Sequence, residues 1–260
     1  MELRKVAEVL VKAKYAIALT GAGVSTESGI PDFRGPNGIW TRNPEAERRA
    51  YEIYHVFLRD PVEYWKETLR SPFREAIEKA KPNPSHYALA ELERMGILKA
   101  IITQNIDNLH QKAGSRNVID FHGNIYYLRC LKCGSRYRRE EFDLSRVEEG
   151  LIPYCYCGYP LKSDVVYFGE PIPRDVYEKS LEEVERCDLM IVAGTSAVVY
   201  PAAQLPRIAK SNGAVIVEVN AEPTPVTEIA DYSLRGRTGE ILPKIVEEVR
   251  RIRSSSQESS

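Results

Sequence analysis

The sequence has almost no excess of charge of either sign, since 36 Lys and Arg residues stand against 37 Asp and Glu residues. A net charge of −1 gives no overall basic field, so we expect neither direct nucleic-acid binding nor attraction to a membrane. Residues 1–20 begin with a charged amphipathic stretch and lack a long apolar core, so neither a signal peptide nor a transmembrane span is expected. We therefore expect a cytoplasmic protein.

Cysteine is also scarce, and its spacing is informative. Four of the five cysteines form two close pairs, Cys130 with Cys133 and Cys155 with Cys157. In a chain without a secretory signal, such pairs are typical of a tetrahedral thiolate zinc site. Disulfides are the alternative, which the reducing cytosol disfavours. We expect one structural zinc per chain, because four thiolates leave no coordination position open for water. Cys187 lies outside both pairs and is predicted to be a small core residue.

Apolar runs with the length of buried strands alternate with segments of helical periodicity. The predicted strands are 15–19, 100–102, 118–121, 188–193 and 214–219. The predicted helices are 3–10, 86–95, 174–187, 202–210 and 240–251. Alternation of this kind predicts an α/β fold with a Rossmann-like parallel sheet, whose ligands bind beyond the carboxyl ends of the strands.

Two segments interrupt the alternation and predict a smaller lobe. Residues 36–85 are rich in aromatic residues and proline and are predicted to be a helical insertion, and residues 124–164 hold the cysteine pairs of the zinc ribbon. The larger Rossmann-like lobe is then discontinuous, with the segments 1–35, 86–123 and 165–253. Residues 254–260 are too polar to fold and are predicted to be a disordered tail.

A glycine-rich turn follows the first predicted strand. Residues 21–26 read Gly-Ala-Gly-Val-Ser-Thr, where glycines allow a phosphate to approach the backbone and Ser25 or Thr26 is expected to cap a helix. The turn lacks the third glycine of the dinucleotide fingerprint, so an ordinary strand-to-helix turn is the alternative. The next loop, 28–35, places a carboxylate, an aromatic ring and a guanidinium on a flexible segment at Asp32, Phe33 and Arg34.

Polar side chains also follow two other strands. Gln104, Asn105 and Asp107 come directly after the strand 100–102, where they face a ligand or cap the next helix. His122 ends the strand 118–121 at the same sheet edge, and we choose it among four histidines as the general base. Cysteine or serine nucleophiles paired with a base are not apparent, so covalent catalysis has no support.

In this order, the motifs together resemble the sirtuin family of NAD-dependent protein-lysine deacylases, over residues 1–250. The resemblance rests on 21–25, 28–35, 103–107, Leu109-His110, Ala113-Gly114, His122-Gly123, the cysteine pairs, 166–170, 194–196 and Asn220. It implies that NAD and an acyl-lysine protein or peptide bind in a cleft between the two lobes. A chromatin or metabolic protein is then the expected substrate.

The resemblance also implies a role for each motif. His122 and Asn105 would be catalytic, and main-chain groups of Val166, Phe168 and Gly169 would form an edge strand that pairs with the peptide. The implied NAD-binding residues are Gly21, Ala22, Gly23, Thr26, Asp32, Phe33, Arg34, Gln104, Asn105, Ile106, Asp107, Gly194, Thr195, Ser196 and Asn220.

The implied reaction consumes NAD. The acyl oxygen of the substrate displaces nicotinamide from the ribose, His122 takes a proton from a ribose hydroxyl, and hydrolysis releases lysine and O-acyl-ADP-ribose. An ADP-ribosyltransferase on the same scaffold is the alternative, and a nucleotide-binding or zinc-ribbon module without catalysis is a third possibility. The complete set of Asn105, Asp107 and His122 favours deacylation.

The chain departs from the family pattern in places. Its second cysteine pair is C-x-C instead of C-x-x-C, and Ala197 stands where many relatives have leucine, which predicts a different pocket wall. Relatives that prefer succinyl or malonyl groups carry a Tyr and an Arg three residues apart, whereas this chain has Thr68 and Ser71 at those positions. We therefore expect a preference for neutral acyl groups.

Overall fold

The computed structural model describes residues 2–35 and 38–257. Met1, residues 36 and 37 of the predicted helical insertion, and residues 258–260 of the predicted tail lie outside this range. The strands are β1 (Ala16–Thr20), β2 (Leu98–Thr103), β3 (Val118–Asp120), β4 (Tyr127–Cys130), β5 (Arg136–Arg138), β6 (Leu161–Ser163), β7 (Leu189–Ala193), β8 (Val215–Asn220) and β9 (Tyr232–Arg235).

The α-helices of the described residues are also numbered in chain order. They are α1 (Glu2–Lys12), α2 (Ile39–Arg42), α3 (Pro44–Arg59), α4 (Pro61–Leu69), α5 (Pro72–Lys79), α6 (Pro84–Arg94), α7 (Leu109–Lys112), α8 (Arg174–Arg186), α9 (Leu205–Ser211) and α10 (Thr238–Gln257). Within the described residues, none of these helices has both the length and the apolar character needed to cross a bilayer.

Six strands form one parallel sheet in the order β3-β2-β1-β7-β8-β9. β1 lies inside it, where Ala18 pairs with Ile101 of β2 and with Ile191 of β7. Every residue of β1 is buried, as expected for a parallel sheet with helices on both faces. The strand order reverses between β1 and β7, and such a switch point opens a crevice at the carboxyl ends of the strands.

Alternate residues of the strands face two separate apolar layers. One layer packs Ala18 and Ile101 against α1, α6 and α10, and the other packs Ile17 and Ile102 against α8 and α9. Because both faces are buried, the strands read in the sequence as continuous apolar runs and not as alternating ones. The predicted Rossmann-like α/β fold is confirmed.

The smaller lobe combines helices with a second sheet. Three antiparallel strands in the order β5-β4-β6 pack against the helices of the insertion. Their common core contains Phe57 of α3, Trp65 of α4, Leu128 of β4 and Leu161 of β6. The indole Nε1 of Trp65 also donates a hydrogen bond of 2.9 Å to the carbonyl oxygen of Leu161. The two interruptions of the sequence therefore fold as one small lobe, as predicted.

Arg136 connects the two lobes through ion pairs. Its Nη2 lies 3.0 Å from an oxygen of Asp120, at the end of β3, and its Nε lies 2.9 Å from an oxygen of Asp164, just after β6. Arg129 of β4 donates to the second oxygen of Asp164 at 2.6 Å. The small sheet is thus fixed beside β3, an edge strand of the large sheet.

Three parts of the fold differ from the sequence prediction. The edge strand β9 was not predicted, because its residues are only half buried and its apolar pattern is short. The predicted helix 202–210 begins with a 3-10 turn, Ala202–Gln204, before α9. Helix α10 continues through residues 254–257, which corrects the predicted start of the disordered tail. Ser254 and Ser255 contribute to this extension, since their hydroxyls donate to the carbonyl oxygens four residues earlier.

Candidate active site

The carboxyl ends of the large sheet and the small lobe enclose a cleft of about 1290 Å3. All the residues predicted to bind cofactor or substrate line it, together with the predicted general base. They are Gly21, Ala22, Gly23, Thr26, Asp32, Phe33, Arg34, Gln104, Asn105, Ile106, Asp107, His122, Val166, Phe168, Gly169, Gly194, Thr195, Ser196 and Asn220. Motifs up to 200 residues apart in the sequence therefore meet in one place.

The glycine turn after β1 lies directly against the turn after β7. The amide of Gly23 donates to the carbonyl oxygen of Gly194 at 2.7 Å, and a Cβ atom on Gly23 would stand 2.8 Å from the Cα of Gly194. Gly194 itself has φ of 59°, in the left-handed region. Both positions require glycine because two backbones approach each other here.

The structure corrects the predicted helix cap. The turn leads into two short 3-10 segments, Ala22–Val24 and Thr26–Ser28, and neither has a side-chain cap. The hydroxyl of Thr26 donates back to the carbonyl of Gly23 at 3.1 Å, and that of Ser25 points elsewhere. An anion at this turn would therefore meet loop backbone and not the N-terminus of a long helix.

Ser25 is a site residue that we did not include in the predicted site. Its hydroxyl is buried, donates to Asp107 Oδ2 at 2.7 Å, and accepts from Asn105 Nδ2 at 3.0 Å. Asp107 also accepts from the amide of Leu109 at 2.9 Å. Burial raises the pKa of Asp107, while the bonds from Ser25 and Leu109 lower it. A single serine in a glycine-rich run gives no sequence signal for this role, since its partners lie about 80 residues away.

Gln104 links the strands on either side of β1. Its side-chain amide donates to Thr195 Oγ1 at 2.9 Å, and its backbone amide donates to the carbonyl of Thr20 at 2.9 Å. Asn105 donates from its side chain to the carbonyl of Gly21 at 3.0 Å. The polar residues after β2 are therefore held by the turns after β1 and β7, as the sheet order predicts.

His122 follows β3 and borders the cleft. Its Nδ1 lies 3.2 Å from the carbonyl oxygen of Gln104, which can only accept, so Nδ1 carries the proton and Nε2 keeps its lone pair. Burial lowers the pKa of His122 to about 4, and the bond to Gln104 opposes this shift. The imidazole is thus neutral at physiological pH and ready to accept a proton.

The other three histidines have different surroundings. Nδ1 of His86 accepts from the amide of Asn83 at 3.2 Å, in a capping box at the start of α6. This agrees with the predicted position of His86 at the start of a helix. His110 is buried, with Nε2 2.9 Å from the hydroxyl of Thr20. His55 is exposed on α3. Burial lowers the pKa of His86 to about 4 and that of His110 well below its usual value.

The predicted peptide-binding segment, 166–169, runs along the cleft but belongs to neither sheet. The expected edge strand is therefore not formed here, since residues 166 and 167 belong to no strand and 168–169 form a turn. The amide of Val166 donates to the carbonyl of His122 at 2.8 Å. The ring of Phe168 stacks on Tyr51 with centroids 4.4 Å apart.

Ala197 does not form the cleft wall that its divergence suggested. It is buried in the core layer with Ala202 and Val226, and it is not among the residues that line the cleft. Its φ of 52° lies in the left-handed region, which is uncommon for alanine. The neighbours Val198 and Val199 line the cleft instead.

The four paired cysteines have the geometry of a metal site. Their Sγ atoms all lie within 4.8 Å of one another, and the Sγ atoms of two pairs, Cys130 with Cys157 and Cys133 with Cys155, are 3.5 Å apart. A disulfide would require about 2.05 Å, whereas four thiolates about 2.3 Å from a common zinc stand roughly 3.8 Å apart. The C-x-C spacing therefore still completes a tetrahedral set, and the residues fit a structural zinc.

Comparison with known proteins identifies relatives of the whole chain. The Sir2 family model matches residues 21–201. The chain belongs to the Sir2 family. Among the Sir2 relatives, NAD-dependent protein deacylase 2 of Archaeoglobus fulgidus is 50% identical, and the match covers 97% of this chain and 98% of the relative. The NAD-dependent protein deacylase of Pyrococcus abyssi is 48% identical, with 95% and 98% covered. The predicted resemblance to sirtuins is confirmed.

Solved Sir2 structures share the fold of this Sir2-family chain. A mutant Sir2 homologue in complex with ADP ribose is 46% identical and superposes with a TM-score of 0.83, covering 96% of this chain and 97% of that one. A Sir2 protein bound to a myristoylated histone peptide is 45% identical with a TM-score of 0.71, and 98% of each chain is covered.

We predict that this Sir2-family protein binds one zinc per chain and that Cys155→Ser releases it, because each thiolate supplies a quarter of the coordination. Without the metal, the small sheet loses its connection and residues 127–163 become accessible to protease. Elemental analysis and limited proteolysis measure both effects. Cys187→Ala, at the cysteine outside the cluster, is the matched control and should keep one zinc. A metal-free protein with mapped disulfides would contradict the assignment.

Proposed function

We propose that this Sir2-family protein is an NAD-dependent protein-lysine deacylase that forms nicotinamide, O-acyl-ADP-ribose and the deacylated lysine. The observation that carries the proposal is the position of the neutral imidazole of His122. It lies at the same sheet edge as the Ser25–Asn105–Asp107 network, next to an extended segment suited to hold a peptide. Bound NAD supplies an ADP-ribosyl group that is transferred when the bond to nicotinamide breaks.

The cleft surface after β1 and β7 fits a dinucleotide. The amides of Gly21 and Gly23 donate to the carbonyl oxygens of Ala193 and Gly194, so a pyrophosphate would approach the backbone of the turn at Ala22. Thr26 and the guanidinium of Arg34 border this part of the cleft and would bind the phosphates, and Asp32 fixes the loop by accepting from the amide of Gly35 at 3.1 Å. Gly194, Thr195, Ser196 and Asn220 would bind the adenosine end.

The network around Ser25 would hold the nicotinamide carboxamide and ribose. The carboxylate of Asp107 is fixed in place by the hydroxyl of Ser25 and the amide of Leu109, so it would accept from the carboxamide NH2 beside Ile106. Asn105 directs both its amide hydrogens into the protein and would present its side-chain oxygen to the ribose. Gln104 would contact the ribose from the other side, and Phe33 would cover the nicotinamide position.

His122 would act as the general base. The bond from Nδ1 to the Gln104 carbonyl orients the ring and keeps the lone pair on Nε2, which would accept a proton from a ribose hydroxyl. Main-chain groups of Val166, Phe168 and Gly169 would pair with the acyl-lysine peptide as an added strand. Because backbone bonds carry little sequence information, we propose a broad set of substrates that includes chromatin or metabolic proteins.

The predicted division of the chain is part of the same proposal. Residues 36–85 and 124–164 would form the substrate lobe, since α4 and β6 share one core. The large lobe would bind NAD with the segments 1–35, 86–123 and 165–253. We also propose a cytoplasmic location, because a thiolate zinc site suits a reducing compartment.

We predict that His122→Ala abolishes turnover of an acetyl-lysine peptide while NAD still binds, because the phosphate and adenosine contacts do not involve the imidazole. A loss of at least about 100-fold in kcat is expected for a general base. Mass spectrometry of the reaction should detect O-acetyl-ADP-ribose for the wild type only. Circular dichroism controls for folding. Near-native turnover by the variant contradicts the role, and ADP-ribosylated peptide as the main product would favour the transferase alternative.

The pKa of His122 predicts the pH dependence of the reaction. The neutral imidazole is the active form, and a pKa lowered to about 4 means that this form persists well below pH 6.5. We expect kcat/KM to be level from neutral pH to about pH 5 and to fall as the pH drops through about 4. Initial rates across this range, with circular dichroism at each pH, measure the effect. An acidic limb near pH 6.5 in a folded protein would show that the imidazole is not desolvated.

The cleft predicts a strong preference for acetyl over succinyl lysine. Thr68 and Ser71 line the cleft where a Tyr and an Arg would be needed, and the hydroxyl of Thr68 donates to the carbonyl of Tyr64 at 2.9 Å. Arg70 points away from the cleft and pairs with Glu148 at 2.7 Å. A buried succinyl carboxylate would lack a cation, so kcat/KM for the succinyl peptide should be lower by at least about tenfold.

Matched peptides with one sequence and two acyl groups measure this preference. The double variant Thr68→Tyr/Ser71→Arg restores the missing pair and should raise kcat/KM for the succinyl peptide relative to the acetyl peptide. A wild-type preference for succinyl would contradict the prediction and indicate that another cation, such as Arg74, reaches the acyl group.

A further inference from the structure

Lys162 is a buried cation that the proposed reaction does not use. It lies in β6, has no exposed surface, and stands directly opposite Arg129 of β4 in the antiparallel register. Two cations that face each other across neighbouring strands repel, and a buried ammonium without partners is strongly unfavourable. The position therefore requires a specific set of acceptors.

All the acceptors of Lys162 belong to one short segment. Its Nζ donates to the carbonyl oxygens of Ser163 at 2.7 Å and Val165 at 2.5 Å, and lies 3.1 Å from the carboxylate of Glu170. These three contacts account for the three hydrogens of the ammonium group. The ring centroid of Tyr167, in the same segment, lies 5.0 Å from Nζ.

Glu170 closes the segment from its other end. The carboxylate is buried and accepts from the amide of Tyr167 at 3.1 Å in addition to its contact with Lys162. The ammonium and the carboxylate thus join the beginning and the end of the segment 163–170. Between these two ends lie Val166, Phe168 and Gly169, the residues that border the cleft.

The same segment is packed against the catalytic histidine. A Cβ atom on Gly123 would stand 1.8 Å from the carbonyl oxygen of Asp164, and the amide of Val166 donates to the carbonyl of His122 at 2.8 Å. A shift of the segment would therefore change the distance between its main-chain groups and the imidazole of His122.

We propose that Lys162 is a positioning residue for acyl-peptide recognition, which holds the segment 163–170 in the conformation that presents its main-chain groups to the peptide. The proposal rests on the proposed function. Lys162 acts through the segment and does not itself contact the substrate.

A purely structural role in the small sheet would involve different partners. Arg129 and Arg136 of that sheet both pair with Asp164, at the start of the segment, at 2.6 and 2.9 Å, so their charges are compensated without Lys162. The polar contacts that the described residues make with the side chain of Lys162 all come from the segment 163–170. Loss of Lys162 should for that reason affect the peptide more than NAD.

The test compares steady-state constants of Lys162→Met and Lys162→Met/Glu170→Gln with those of the wild type. In the double variant no unpaired carboxylate is left behind, and the glutamine oxygen still accepts from the Tyr167 amide, so stability should partly recover. The KM for an acetyl-lysine peptide should rise about tenfold or more in both variants, while the KM for NAD stays within about twofold. Lys210→Met, which breaks a surface pair with Asp231, is the matched control and should leave both constants unchanged.

Thermal unfolding and zinc content of each variant separate stability from positioning. A double variant in which the peptide KM returns to the wild-type value together with Tm overturns the proposal, since Lys162 would then only compensate a charge. Equal increases in both KM values also overturn it, as does the failure of both variants to fold. If the wild type turns over no acyl-peptide, the proposed function fails, and the dissociation constant of the peptide measured by calorimetry decides the role of Lys162.

Discussion

The backbone contact between Gly23 and Gly194 determines where the active site can form. It brings the turn after β1 against the turn after β7, at the point where the strand order of the sheet reverses. Side chains larger than hydrogen would separate the two turns, since the Cβ of either residue would collide with the backbone of the other. The contact places the turn at the border of the cleft and fixes the carbonyl groups that Asn105 and Gln104 use as acceptors.

The polar network above this contact depends on burial for its strength. Ser25 and Asp107 are buried, so little water competes for the hydrogen bond between them and it is stronger than it would be at the surface. The same burial keeps His122 neutral. A carboxylate with fixed acceptor atoms and an unprotonated imidazole in one cleft suit a reaction in which a positive charge develops on the ribose and a proton then leaves it.

The features that the sequence predicted correctly are those whose pattern lies within a short stretch of the chain. Continuous apolar runs such as 188–193 became buried parallel strands, and the cysteine spacing led to a cluster with metal-site geometry. Long-range partners were not predictable in the same way. The role of Ser25 depends on side chains that follow another strand. Ala197 adopts a positive φ, which is uncommon for alanine and which the sequence does not indicate. β9 was missed because an edge strand needs only one apolar face, which leaves a short and ambiguous pattern.

Arg136 joins the two lobes on one side of the cleft. Its pairs with Asp120 and Asp164 fasten the small sheet to the end of β3, two residues before His122. On the opposite side of the cleft, the ring of Phe33 contacts Trp40 and Phe73, which belong to the helical part of the small lobe. The small lobe is therefore held to the large one at two places, by ion pairs beside His122 and by ring contacts at Phe33, so a change at either place alters the width of the cleft between them.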